Sequence, residues 1–352
     1  MNIVFRVDSS TQIGAGHVMR CITLANELKQ KGFSVVFICG DLIGNLISII
    51  KFPVFRLPKN NNFHSDNLYL NSLGSSQEQD AKQSIKVIPK NIDLIVIDNY
   101  ALDDIWHQKL RKFAQKIMVI DDLADKQFDC DILLNQNLGI QKNNYKNKVS
   151  ESCKLLLGCD YALLRKEFSE LREKAFIKRK NTKTIKNILI SMGGSDVKNI
   201  TYEILQHLGD EYNIVVVLGK ESPHNNLIIN YAENKNIEVI VNANNMAELM
   251  LNADLSIGAS GSTNWERLCL GLPSLVLTIA ENQKVFSKNL DKLGLIRLVG
   301  DYSDKNSICR INEKISLITD LSNWSNRCFN SCNGEGVIKV AEVIITSLTI
   351  KD

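Results

Sequence analysis

The sequence predicts an α/β protein of two successive domains, each built on parallel strands. Three observations carry the prediction. Short apolar runs alternate with helical patterns along the chain. The runs are apolar throughout, as strands covered on both faces require. A polar, basic, aperiodic stretch, IKRKNTKTIK (177–186), separates one series from the next. With 352 residues the chain has room for about two domains.

The first strand is NIVFRV (2–7). VMRCITLANELKQKG (18–32) follows with apolar residues at helical spacing, lysines near its end and Gly32 as a stop. FSVVFIC (33–39) is a strand, as are IDLIVID (92–98) and KIMVID (116–121), with a helical stretch between these last two. DILLN (131–135) and CKLLLG (153–158) continue the series. Residues 58–80 are rich in Asn and Ser around PKNNNFHSDN and read as a loop or lid, with a helix near 77–88. The amphipathic YALLRKEFSELREKAF (161–176) closes a first domain, 1–176, and 177–186 is the linker. The second domain, 187–352, takes its strands from NILISM (187–192), YNIVVVLG (212–219), IEVIV (237–241), ADLSIG (253–258) and PSLVL (273–277). GVIKVAEVIITSL (336–348) is a closing helix.

Composition excludes several classes. At 44% hydrophobic and 23% charged residues the chain reads as an ordinary globular protein. A net charge of +3 is too small a surplus to carry nucleic-acid binding. No run approaches ~18 consecutive apolar residues, so no membrane span is expected. MNIVFRVDSS has no basic leader, long apolar core or cleavage site, and is read as unprocessed and cytoplasmic. The nine cysteines include no Cys-x-x-Cys, which argues against a zinc ribbon or a disulfide framework. No apolar surface stripe stands out, and a monomer is expected.

Two glycine loops follow predicted strands, where the carboxyl ends of a parallel sheet hold ligands. Gly14-Ala15-Gly16 leads into His17 and a helix, but Met19 holds the third glycine position of a dinucleotide fingerprint. His17 falls in the first helical turn, near a positive dipole end that favours a neutral imidazole able to take a proton from water. A histidine merely hydrogen-bonded at a helix start is the alternative. Asp8, at the end of the first strand, is a candidate to orient it or equally a surface strand end. MGGSD (192–196) suits a diphosphate or a plain βα turn. In SIGASGSTNWERLCLGLPSL (256–275), Glu266 lies in the first turn of a helix from about Thr263, as a capping box or as a carboxylate for ribose hydroxyls. Asn282 and Gln283 in TIAENQK are candidate sugar or base contacts. The Asp129-x-Asp131 pair sits at the start of a strand, away from the expected cleft, and is a weak metal candidate.

FRVDSSTQIGAGHVMRCITLANEL (5–28) resembles the opening of the UDP-sugar hydrolases of the pseudaminic acid pathway, with Arg6, Asp8, Ile13, Gly14, Gly16, His17 and Arg20 in the matching places. LIVIDNY (94–100), DILLN, GCDYALLRKEF (158–168), MGGSDVKN (192–199), ENQ (281–283) and NGEGVIKVAE (333–342) extend the resemblance over nearly the whole chain. It implies two Rossmann-like domains in a glycosyltransferase B-type arrangement, with the last helix packing back on the first domain. It also implies hydrolysis of a UDP-linked 2,4-diacetamido-2,4,6-trideoxyhexose, by water attack at the anomeric carbon with inversion, releasing UDP and free sugar. His17 would be the general base. Asp8, Gly14, Gly16, Arg20, Tyr100, Asn282 and Gln283 would meet the sugar. Gly193, Gly194, Ser195, Ser260, Ser262 and Glu266 would hold UDP. Neither metal nor cofactor belongs to that picture. An inverting UDP-sugar glycosyltransferase of the same fold and a non-catalytic nucleotide-sugar sensor are the competing classes. The sugar's stereochemistry stays open between pseudaminic and legionaminic precursors.

Overall fold

The apolar runs of the first half lie side by side in one parallel sheet, because helices cover both of its faces. The computed structural model describes residues 1–58, 63–220, 222–304 and 306–349. It divides into two units, Met1–Leu163 with Glu335–Asp352, and Leu164–Gly334. The first unit contains β1 (Asn2–Val7), α1 (Gly16–Gln30), β2 (Ser34–Gly40), β3 (Val54–Leu57), α2 (Leu68–Leu73), α3 (Gln77–Val87), β4 (Ile92–Asp98), α4 (Asp104–Leu110), β5 (Ala114–Ile120), β6 (Ile132–Asn135) and β7 (Lys154–Leu157). The sheet order is β3-β2-β1-β4-β5-β6-β7, with every pairing parallel. Along β1, Ile3, Phe5 and Val7 pack with Cys21, Leu24 and Leu28 of α1. Val4 turns to the other face, in a second cluster with Ala81 of α3 and Trp106 and Leu110 of α4. The strand order reverses between β1 and β4, which opens a crevice at their carboxyl ends.

The second unit contains α5 (Lys166–Asn181), β8 (Asn187–Ser191), α6 (Ile200–His207), β9 (Asn213–Leu218), α7 (Asn225–Ala232), β10 (Ile237–Val241), α8 (Met246–Asn252), β11 (Leu255–Ala259), α9 (Thr263–Cys269), β12 (Ser274–Thr278), α10 (Lys284–Lys292), β13 (Arg297–Asp301), α11 (Ile311–Ser316) and α12 (Leu321–Ser331). Its parallel sheet runs β10-β9-β8-β11-β12-β13, with the reversal between β8 and β11. The chain then returns through α13 (Gly336–Thr349), whose Val340, Ala341 and Ile344 are buried in the same cluster as α1.

Three sequence expectations need revision. The boundary expected at residue 176 falls inside α5, and the expected linker 177–186 is helical through Asn181. The reason lies in two arginines seven residues apart. Arg172 donates to the carbonyls of Cys269, Phe329 and Cys332 at the ends of α9 and α12. Arg179 donates to Met250 and Ala253 at the end of α8. Cations are favoured at helix C-termini, so α5 is fastened into the second unit. The 58–80 segment is not all loop. Residues 59–62 lie outside the described residues, but α2 forms on an Asn67 cap and stops at Gly74, which has φ of 71°. β3 and β13 are edge strands of four and five residues, too short for their patterns to stand out. Among the described residues no helix is long and apolar enough to cross a membrane.

Candidate active site

All pairings in the first sheet are parallel, so polar residues that follow its strands gather at one edge. β1 leads to Asp8, β4 ends in Asp98 and continues to Asn99 and Tyr100, and β5 leads to Asp121 and Asp122. α1 begins beside them after a tight turn. In that turn Gly14 donates to the Ser10 carbonyl at 2.8 Å with φ of 83°, a conformation that favours glycine. Ser10 Oγ accepts from the Gln12 and Ile13 amides. Gly16 is the first residue of α1 and His17 the second.

His17 Nδ1 lies 2.6 Å from Asp98 Oδ1. Arg20, one turn later, meets Asp98 through two bonds: Nε to Oδ2 at 2.6 Å and Nη2 to Oδ1 at 2.7 Å. The same guanidinium meets Asp122 at 3.0 and 2.8 Å. Arg20 Nη2 also approaches His17 Nδ1 at 3.1 Å, but its two protons are already taken by the two carboxylates. The proton on the imidazole is therefore assigned to Nδ1, donating to Asp98, and Nε2 is the unprotonated nitrogen of the neutral ring. Tyr100 donates its hydroxyl to Asp122 Oδ2 at 2.8 Å, and its ring stands edge-on to His17 with centroids 4.7 Å apart.

Burial would raise the Asp98 carboxyl, but the Arg20 charge, with His17 beside it, outweighs burial and holds it well below the ordinary carboxylate value. Asp122 is held low by Arg20 against the same burial. Arg20 is pushed up by Asp122 and Asp98 in spite of its own burial. Burial and the Asp122 charge push the Tyr100 phenol well above its usual value.

Two expected roles change. The group that orients His17 is Asp98, whereas Asp8 is buried and spoken for, accepting from Arg6, the Gly40 amide and Asn99. Arg20 spends four of its five donors on Asp98 and Asp122 and is 6% exposed, so most of its hydrogen-bonding capacity is committed inside the cluster. Asp98 and Asp122 were missed by motif reading. Their signal is an aspartate closing an apolar strand run, in LIVID and in MVIDD.

In the second unit, Gly193, Gly194 and Ser195 follow β8, with Gly193 at φ of 95°. A Cβ at Gly219 would collide with the Gly194 carbonyl, so a glycine beyond β9 lets the two backbones close. The helix start behind this loop is occupied: Asp196 accepts from the Ile200 and Thr201 amides at 2.9 and 3.0 Å. Those two amides at the start of α6 are therefore already taken within the chain. Ser262 is the N-cap of α9 without a side-chain cap bond, and Glu266 does not close a capping box but lies 3.4 Å from Arg165. Burial pushes the Glu266 carboxyl above its usual value, against the pull of Arg165 and Arg267. Ser260 is buried, 3.1 Å from Asn264 and 2.7 Å from Ser287, and ties α10 to the end of β11. Gln283 spends its side-chain carbonyl on the Ile279 amide at 2.9 Å, while Asn282 is exposed. Asp129 and Asp131 both pair with Arg111, which accounts for them without a metal. Eight of the nine cysteines are buried, as a packing role requires.

Residues 174–318 match the family model of the glycosyltransferase family 28 C-terminal domain. The UDP-2,4-diacetamido-2,4,6-trideoxy-beta-L-altropyranose hydrolase of Campylobacter jejuni is 30% identical over 302 residues, covering 84% of this chain and 97% of that protein. An uncharacterized protein of Methanocaldococcus jannaschii is 31% identical over 81% of this chain, which spans 57% of that protein's length. Among solved structures, Acinetobacter baumannii MurG matches with a TM-score of 0.64 at 14% identity, over 98% of this chain and 99% of its own. That likeness shows the fold, two Rossmann-like domains of the glycosyltransferase B type.

Proposed function

Since this chain belongs to the family of the UDP-2,4-diacetamido-2,4,6-trideoxy-β-L-altropyranose hydrolase, we propose that it hydrolyses a UDP-linked 2,4-diacetamido-2,4,6-trideoxyhexose on the way to pseudaminic acid. The products are UDP and the free sugar. The observation that carries this reading is the 2.6 Å bond from His17 Nδ1 to Asp98. It leaves Nε2 outside the described hydrogen bonds, on a ring whose side chain is 12% exposed.

In the proposed step Nε2 takes a proton from water as the water oxygen bonds to the anomeric carbon. The bond from that carbon to the diphosphate oxygen breaks, its electron pair leaves with UDP, and the configuration inverts. A positioned base contributes ~10²–10⁴-fold to such a step. The imidazolium that forms is stabilised by Asp98, in the manner of an orienting carboxylate. Tyr100, edge-on to the ring, would bound the sugar site from the same unit. UDP would fall to the second unit, with the Gly193–Ser195 backbone near the diphosphate and Ser262 and Glu266 near the ribose. Asn282 and the Gln283 amide are the remaining candidates for sugar or base.

The test is incubation with the UDP-sugar in ¹⁸O-water and no acceptor. The expected result is UDP release with label in the free sugar. Label in UDP would mean attack at phosphorus and would sink the mechanism. The match to a glycosyltransferase C-terminal domain favours a second reading, an inverting transferase. UDP release only on addition of an acceptor would decide for it.

A further inference from the structure

Asp98 alone is sufficient to orient His17, yet the cluster holds a second buried carboxylate. Asp122 does not touch the imidazole through any described hydrogen bond. It meets Arg20 through both oxygens and accepts the Tyr100 hydroxyl. Two carboxylates thus share one guanidinium, and one negative charge is left over while the imidazole is neutral. Protonation of His17 brings the cluster to neutrality.

Resting on the reading of His17 as base, we propose that Asp122 is a positioning residue. Through Arg20 it leaves the cluster one charge short of balance, so that the proton drawn from water is stabilised where it lands. Without Asp122, the Arg20–Asp98 pair is already neutral, and a proton arriving on His17 adds an uncompensated charge in a buried setting.

The remaining groups around the ring are not joined to His17 or Arg20 by any described hydrogen bond. Cys21, 3.5 Å from Asp98, is a thiol that burial pushes well up, so it stays neutral. Asp121, next to Asp122, is turned into its own network with Tyr145 and the Leu123 and Ala124 amides. Asp8 and Asp80 share Arg6 in a separate buried cluster that makes no described hydrogen bond to His17, Arg20, Asp98 or Asp122. Lys126 is taken up by the Tyr100 carbonyl and stands 5.0 Å from the Tyr69 ring. Tyr69 and Tyr100 are phenols raised above their usual value, and both are neutral near pH 7.

The test uses Asp122→Asn, which keeps an acceptor for Arg20 and removes the charge. The acidic limb of the kcat/KM profile should move down by on the order of one pH unit, and the plateau should fall about tenfold with KM little changed. NMR titration of the His17 ring, assigned by its loss in His17→Asn, should show the same downward shift without substrate. Tyr100→Phe leaves the charge but removes a donor from Asp122, and the His17 titration should move up instead. Asp122→Glu should restore part of the profile. An unshifted His17 titration in a folded Asp122→Asn protein would overturn the proposal. Should that variant not fold, an unshifted or lowered titration in Tyr100→Phe would do so. Full turnover by His17→Asn would instead remove the base assignment itself, an outcome distinct from either.

Discussion

His17 and Asp98 meet at 2.6 Å although 81 positions separate them in the chain. The pairing is possible because one follows β1 and the other ends β4, and these strands are neighbours across the reversal in strand order. Asp98→Asn should therefore act on the chemical step. An amide can turn its NH₂ toward Nδ1, which places the ring proton on Nε2 and removes the proposed base. The expected outcome is a kcat reduced by about 10²–10⁴ with unchanged affinity for UDP, from steady-state kinetics and calorimetric UDP titration. Loss of UDP affinity with kcat intact would contradict it.

His107 should make the fold sensitive to acid. Its ring is fully buried against Trp106 and Phe128, and both ring nitrogens lack partners among the described residues. Burial, aided by Arg111 and opposed by Asp129, pushes its pKa down to about 3. The unfolded chain binds this proton near pH 6.5, so stability is lost as the pH falls from about 6.5 toward 3. His107→Leu should remove about 2–3 kcal/mol of the loss between pH 7 and pH 4.5, read from urea unfolding at each pH. Parallel pH curves for the two proteins would refute this.

Arg172 should be a stability residue. It donates to three carbonyls, at the ends of α9 and α12, at 2.6 to 2.9 Å. Arg172→Met keeps the apolar stem and removes the donors. The expected cost is about 2–4 kcal/mol in urea unfolding, with faster hydrogen exchange at the ends of those two helices. A change under 1 kcal/mol would show that water replaces the guanidinium without loss.

Much of the fold is legible because parallel strands buried on both faces leave unbroken apolar runs. The apolar runs 92–98 and 237–241 coincide with the strands β4 and β10. What failed were elements with little apolar signal of their own. β3, β13 and α2 are short and lie at edges or on caps. The end of α5 is rich in lysine and arginine and reads as a linker, because its reason for being helical lies in carbonyls 71 to 160 positions away.

The sequence by itself determined that two α/β units succeed each other, that glycine turns follow the first strand of each, and that His17 begins a helix at such a turn. These are local matters of period, cap and turn, carried by residues adjacent in the chain. Only the tertiary structure decided that Asp98 rather than Asp8 orients the imidazole, that Arg20 is enclosed between Asp98 and Asp122, and that Asp196 closes the α6 terminus. A carboxylate's role depends on which charge or amide folding brings within 3 Å of it, and strand order, not sequence spacing, sets that distance.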